Sequence, residues 1–455
     1  MGTPESRVIG RLDEKIATEE KSFLERLPNF LPHPVALVFT VNLLAILFAV
    51  LLTDSSFEDL FKFWGQGLVS NFGFGMQFVL LLLLSYALAI TPIFKRFLSK
   101  LADSVRTQTQ AIILVAIFSM LLAWFNWGLG VIGAVFLAKE IAKKKAGSDQ
   151  NFNYPLLIAA ALSGLLVWES GASGNALMHI TQGNHIVSEK IGILSLQQTA
   201  FSSLNVIVTI LLVIAIPVAL NMVKKARNSG EYLFESEKEE IKNDNEEITL
   251  AVRLEKSWIL SLAFGALALL YVARHIVGRS IMDMPTYLFL LIALGIVLRK
   301  EPMSYQQDVL KGVQVSWVFY IPIVFYGAVQ GMVDLSGLNT VIAGWFNSVS
   351  NGATFPAITV ISSAILNLFI PNAGSQWLVE GNSLMNAAAN LGVSNAKTVL
   401  AFCYGAGWAK LLQISLFAPL LGINKVKITD LAKYLGVMML TSMVIFIFAV
   451  SFIPA

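Results

Sequence analysis

Residues 367–377 read Asn-Leu-Phe-Ile-Pro-Asn-Ala-Gly-Ser-Gln-Trp and separate two apolar runs, 355–368 and 378–391. Each run is about 14–15 residues, or roughly 22 Å as helix, short of the roughly 30 Å hydrocarbon core of a bilayer. Between them a proline, a glycine and several amide and hydroxyl groups interrupt regular helix. Irregular backbone at membrane depth is tolerated only where protein or a water-filled cavity satisfies it. The stretch therefore predicts a re-entrant hairpin with a polar tip at a binding site. Composition supplies the membrane: 56% of the 455 residues are hydrophobic and 13% charged, against about 25% charged in soluble domains.

The pattern occurs twice. Residues 110–142 are too long for one span and are interrupted at Phe125-Asn126-Trp127-Gly128-Leu129-Gly130. Each hairpin is followed by a span broken by small and polar residues. The first, 155–187, breaks at Glu169-Ser170-Gly171-Ala172-Ser173-Gly174-Asn175, and the second, 398–421, at Tyr404-Gly405-Ala406-Gly407-Trp408. Amphipathic arms, 93–102 and 337–349, precede the hairpins. The order span, span, arm, hairpin, broken helix, span thus fills 34–222 and again 285–453. A charged cytoplasmic linker, 223–256, joins the halves, and one connecting transmembrane helix, 257–276, turns the second half over. The predicted fold is an all-α polytopic membrane protein built from inverted repeats. Residues 1–33 lack the apolar core of a signal peptide and read as a cytoplasmic amphipathic segment. The positive-inside rule fits this topology only if each hairpin returns to its own side. Otherwise Lys143, Lys144 and Lys145 would lie outside.

Half-helices that end at mid-membrane expose N–H groups and the positive end of their dipole, which suits a carboxylate. Unwound carbonyls with Asn and Ser oxygens suit Na⁺. The candidate substrate-binding residues are Asn126, Trp127, Gly128, Ser170, Gly171, Ser173 and Asn175 in the first repeat. In the second they are Asn372, Gly374, Ser375, Gln376, Trp377, Tyr404, Trp408 and Lys410, with Asn367 beside them. Na⁺ is placed near Asn126 and Asn372. The same small residues also allow close helix packing, and that alternative stays open. Glu169 and Lys410 stand at the two breaks, where intramembrane charges are paired or functional. Lys410 is read as binding the substrate carboxylate or replacing a coupling cation, with Glu169 balancing it. Glu380 is a further candidate partner.

Other classes are disfavoured. A net charge of +3 gives no basic face for nucleic acid. One cysteine, Cys403, excludes a disulfide framework, and four histidines are too scattered for a metal site. No nucleotide-binding glycine loop or nucleophile–base pairing points to an enzyme.

The 125–128 tip, Tyr154-Pro155-Leu156-Leu157-Ile158-Ala159, the 170–174 break, the 371–377 tip and Tyr404-Gly405-x-x-Trp408 together resemble the bacterial short-chain fatty acid transporter family of acetoacetate and butyrate permeases. The resemblance implies a multi-pass inner-membrane carrier with a cytoplasmic N-terminus, coupled to Na⁺ or H⁺. Kinship with the divalent anion/sodium symporters in the ion transporter superfamily implies a homodimer with scaffold and mobile transport domains working as an elevator. The chain departs from the family pattern at Glu169, Ala406, Gly407 and Lys410. Such an added charge pair suits a dicarboxylate carrier or an exchanger as the alternative.

Overall fold

The computed structural model describes residues 34–145, 152–224, 249–279, 283–316, 320–370, 372–413, 426 and 428–454. The expected N-terminal segment, most of the charged linker and residues 414–421 of the second broken helix lie outside these residues.

Every described element is a helix. The first half contains α1 (Pro34–Leu52), α2 (Phe57–Ser70), α3 (Phe72–Ala89), α4 (Pro92–Asp103), α5 (Gln108–Phe125) and α6 (Trp127–Lys145). It continues with the short α7 (Tyr154–Leu162), α8 (Leu165–Trp168), α9 (Asn175–Ile180) and α10 (Ser188–Ile191), and ends with α11 (Ser203–Met222). The second half follows α12 (Leu250–Glu255) and α13 (Trp258–Arg279). It comprises α14 (Met284–Arg299), α15 (Pro302–Ser316), α16 (Tyr320–Leu335), α17 (Leu338–Val349), α18 (Phe355–Phe369), α19 (Ala373–Leu391), α20 (Asn395–Ala409) and α21 (Ile428–Phe452).

Among the described residues six helical stretches are long and apolar enough to cross a membrane, or seven if α16 and α17, bent by 76°, count as one span. Leu43 and Leu51 on α1, Leu267 on α13, and Leu440 and Val444 on α21 are 66–73% exposed. Contiguous apolar surface of this kind needs lipid or a partner to cover it. The chain is a multi-pass membrane protein.

Local sequence sets the helix starts. Thr107 accepts the Gln110 N–H while Gln110 accepts the Thr107 N–H, a capping box that opens α5. Asn153 caps α7 at Leu156, with Pro155 in the first turn, and Asp283 caps α14 at Thr286. Such caps satisfy N–H groups that have no helical partner and are each worth about 0.5–2 kcal/mol.

The core has three parts. The largest joins α3–α9, α11 and α18–α21. A second gathers α1, α2 and α16, and a third gathers α3, α14 and α15, each with a few residues from neighbouring segments. Packing between the halves is reciprocal. Helix α2 lies on α16 as α15 lies on α3, α1 lies on α16 as α14 lies on α3, and α4 lies on α6 as α17 lies on α19. The terminal helices α11 and α21 pack on each other.

Three segments differ from their sequence reading. Residues 313–333, which the hydropathy pattern reads as the second span of the second half, are divided between α15 and α16. The amphipathic α15 has no apolar run to announce it. It is tied to α14 by the Arg299–Asp308 ion pair at 3.0 Å. Tyr404–Trp408 is not a break: α20 runs through it, and the α-helix gives way to a 3₁₀ turn at Lys410–Leu412. Its glycine serves close packing, since a Cβ on Gly405 would lie 2.9 Å from Ala364 N on α18. In the first broken segment, helix after the break extends only over Asn175–Ile180.

Candidate functional site

Both candidate hairpins are helical hairpins. At the end of α6 Lys144 bonds the Ser99 carbonyl and Asp103 of α4, beside the start of α5. The Asn153 N–H that follows reaches Gln108. The chain thus returns to where α5 began. In the second hairpin a Cβ on Gly352 would lie 2.9 Å from the Leu391 carbonyl, so its ends also meet.

The two tips share one construction. Asn126 and Asn372 are extended, with φ −148° and −112°. Each side-chain oxygen accepts a backbone N–H three residues on, from Leu129 and Ser375, both at 2.8 Å. Each Asn thereby caps the second arm of its hairpin, α6 or α19. Immediately before each tip the last carbonyl of the first arm accepts a tyrosine hydroxyl from another helix. Tyr287 of α14 reaches Phe125, and Tyr326 of α16 reaches Phe369. Neither tyrosine was expected at a site. Each sits inside an apolar run, and its partner is a carbonyl remote in sequence.

Tip one leads to the charge pair. The Trp127 indole stacks on Trp168 with centroids 4.2 Å apart, and the Trp127 N–H donates to Ser173 at 3.2 Å. Trp168 ends α8, and Glu169 follows it. Asn175 donates to both Glu169 oxygens, by its backbone N–H and its side-chain amide, at 3.2 Å each. Lys410 Nζ lies 3.8 Å from Glu169 Oε1 and 5.7 Å from the Trp168 ring centroid. Both charged side chains are completely buried. An ammonium this close to an indole face gains cation–π attraction.

Lys410 also leads to tip two. Its ammonium donates to Asn367 Oδ1 at 3.2 Å. Asn367 Nδ2 donates to Gln376 Oε1 at 2.6 Å. Gln376 Nε2 donates to Glu380 Oε1 at 2.7 Å and to the Ser363 carbonyl at 2.8 Å. Gln413 donates to the Asn367 carbonyl at 2.6 Å. Hydrogen bonds, ring contacts and the Glu169–Lys410 pair thus connect both tips, the first break and the 3₁₀ turn at Lys410.

The other expected residues hold this frame rather than face a common space. Tyr404 donates to Asn205 at 3.1 Å and stacks on Phe446. Asn205, which the sequence reading passed over inside an apolar span, donates in turn to the Ser170 carbonyl at 2.8 Å. Trp408 donates to the Met439 carbonyl, and Trp377 packs edge-on against Phe402. Gly128 meets Ser85 and Gly171 meets Trp124 with no room for a Cβ. Gly374 and Ser375 are buried in the first turn of α19. At the expected Na⁺ positions, the Asn126 and Asn372 side-chain oxygens are engaged as caps.

The whole chain is similar to known proteins. Residues 15–453 match the family described as short chain fatty acid transporter. The chain belongs to this family. Two curated relatives both carry the name "Putative short-chain fatty acid transporter". That of Escherichia coli (strain K12) is 32% identical over 92% of this chain and 96% of its own. That of Haemophilus influenzae (strain ATCC 51907 / DSM 11121 / KW20 / Rd) is 31% identical over 93% of this chain and 97% of its own. Among solved structures, the fold is similar to that of the Alcanivorax borkumensis YdaH transporter, with a TM-score of 0.52 at 15% identity over 92% of this chain and 98% of that one.

Proposed function

We propose that the protein is a secondary active carrier of short-chain fatty acids and similar small monocarboxylates across the bacterial inner membrane, driven by Na⁺ or H⁺. Family membership supports the substrate class. The observation that carries the mechanism is the buried Lys410, held between Glu169 of the first break and Asn367 of the second hairpin. In this reading the substrate carboxylate takes the place of Glu169 on the ammonium, and the Trp127–Trp168 stack forms an apolar wall for the acyl chain. Charge-assisted bonds of this kind are about twice as strong as neutral ones.

The reciprocal packing of α1–α3 with α14–α16 supports inverted repeats. Two smaller cores, one centred on α1, α2 and α16 and one on α3, α14 and α15, support a scaffold of these helices around a moving body that carries the re-entrant hairpins. The reading includes a homodimer and a cytoplasmic N-terminus.

A dicarboxylate carrier or exchanger is the second reading, favoured by the fixed ammonium. Uptake of butyrate, acetoacetate and succinate by purified protein in proteoliposomes, with and without Na⁺, separates the two. Lys410→Met abolishes uptake if the ammonium holds the carboxylate, and near-normal uptake by that variant discards the role.

A further inference from the structure

Glu380 is a second intramembrane carboxylate, and its surroundings differ from those of Glu169. It is 4% exposed on α19. Two donors, Gln376 Nε2 at 2.7 Å and Ser363 Oγ at 3.0 Å, converge on Oε1. The residue lines a cleft of about 660 Å³ between α1, α16, α17, α18 and α19. Apart from Thr40 and Ser362, the other walls of that cleft are apolar residues such as Leu44, Phe48, Val333, Trp345 and Leu366. Among the described residues no cation pairs with Glu380.

The neighbouring elements explain why. Helices α1, α17 and α18 carry no titratable side chain. On α16 Tyr326 is bonded to Phe369, and Asp334 is held by Gln330 and Asn339 and is influenced by the charge of Lys190 on α10. On α20 Tyr404 is bonded to Asn205, and Cys403 is buried. Lys397 lies in the first turn of α20, and His179 lies on α9 beside His185.

The link from Glu380 to Lys410 has a fixed direction. An ammonium only donates, so the Asn367 atom facing Lys410 is its oxygen and the nitrogen faces Gln376. The Ser363 carbonyl only accepts, so the Gln376 nitrogen faces Ser363 and Glu380. Two amides therefore lie head to tail between the ammonium and the carboxylate.

An unpaired carboxylate against an apolar cleft is costly when charged, and neutralisation relieves that cost. Oε1 already accepts two hydrogen bonds, which leaves Oε2 as the seat of a proton. We infer that Glu380 is the proton-carrying group of the transport cycle, coupled to substrate at Lys410 through the Asn367–Gln376 relay; this rests on the carrier reading above. A proton enters Oε2 from the water of one side and leaves to the water of the other. With substrate bound, the carboxylates of Glu169, Glu380 and the substrate share this buried region with a single ammonium. The proton leaves one surplus negative charge in the group rather than two.

The test uses full-length protein in proteoliposomes with radiolabelled acetoacetate, subtracting the flux into protein-free vesicles. The native protein is expected to show counterflow and, without Na⁺, to accumulate substrate when the outside is made acidic. Glu380→Gln keeps counterflow and loses accumulation driven by the proton gradient. Glu380→Asp keeps that drive but shifts its dependence on outside pH. Gradient-driven accumulation by Glu380→Gln overturns the inference. So does a native protein that shows counterflow yet responds only to Na⁺. Where Glu380→Gln does not assemble, an unshifted pH profile for Glu380→Asp overturns it. A native protein with no counterflow of any monocarboxylate overturns the carrier reading, and this inference with it.

Discussion

Two fully buried charges, Glu169 after α8 and Lys410 at the 3₁₀ turn, lie 3.8 Å apart. Glu169 accepts two bonds from Asn175, and Lys410 donates to Asn367. Removing one member of a buried pair leaves the other uncompensated, at a cost of about 3–5 kcal/mol. Lys410→Met should therefore lower the unfolding temperature in detergent. The double variant Glu169→Gln, Lys410→Met should recover most of that loss, because neither charge then remains. Uptake should stay absent in both, since restored packing supplies no cation for a substrate. Equal unfolding temperatures for the single and double variants would show that the two charges do not act as a pair.

At the scale of elements, the two hairpin tips are the best case for reading this fold from sequence. Asn126 and Asn372 each interrupt an apolar stretch too long for one span, and each caps the helix that follows. Local chemistry was enough to find them. Tyr404–Trp408 misled because glycine beside aromatics suits both a break and a close helix contact, and only the position of α18 decides between them. Tyr287 and Tyr326 were not legible at all. Their hydroxyls act on carbonyls 162 and 43 residues away in the chain. These bonds join α14 and α16 to the two tips, so they give a test of tip anchoring. Tyr287→Phe or Tyr326→Phe removes a part-buried hydrogen bond, at about 0.5–1.5 kcal/mol each. Each variant should unfold at a lower temperature, and hydrogen exchange at the affected tip should rise. An unchanged exchange profile at residues 123–130 in Tyr287→Phe would show that the first tip is not held by that bond.

On the scale of the whole molecule, the question is whether hairpin two moves against α16. The core formed by α1, α2 and α16 reaches hairpin two through only a few buried residues, among them Ile370 and Val379. The cleft beside them separates α1, α16 and α17 from α18 and α19. A body meant to slide should meet its support across such a thin apolar surface, and the Tyr326–Phe369 bond is a polar contact that would have to part. Val333 of α16 and Val379 of α19 line the same cleft from its two sides. Leu60 of α2 and Val329 of α16, by contrast, lie together within the proposed support. With the buried Cys403 replaced by Ala, Val333→Cys with Val379→Cys can be joined by a short thiol-reactive bridge. The bridge should abolish uptake, and reduction should restore it. A bridge between Leu60→Cys and Val329→Cys should leave uptake intact, since both helices belong to the static part. Normal uptake in the bridged Val333–Val379 pair would mean that α19 and α16 stay together throughout the cycle, and access to Lys410 would then have to come from opening the tips alone.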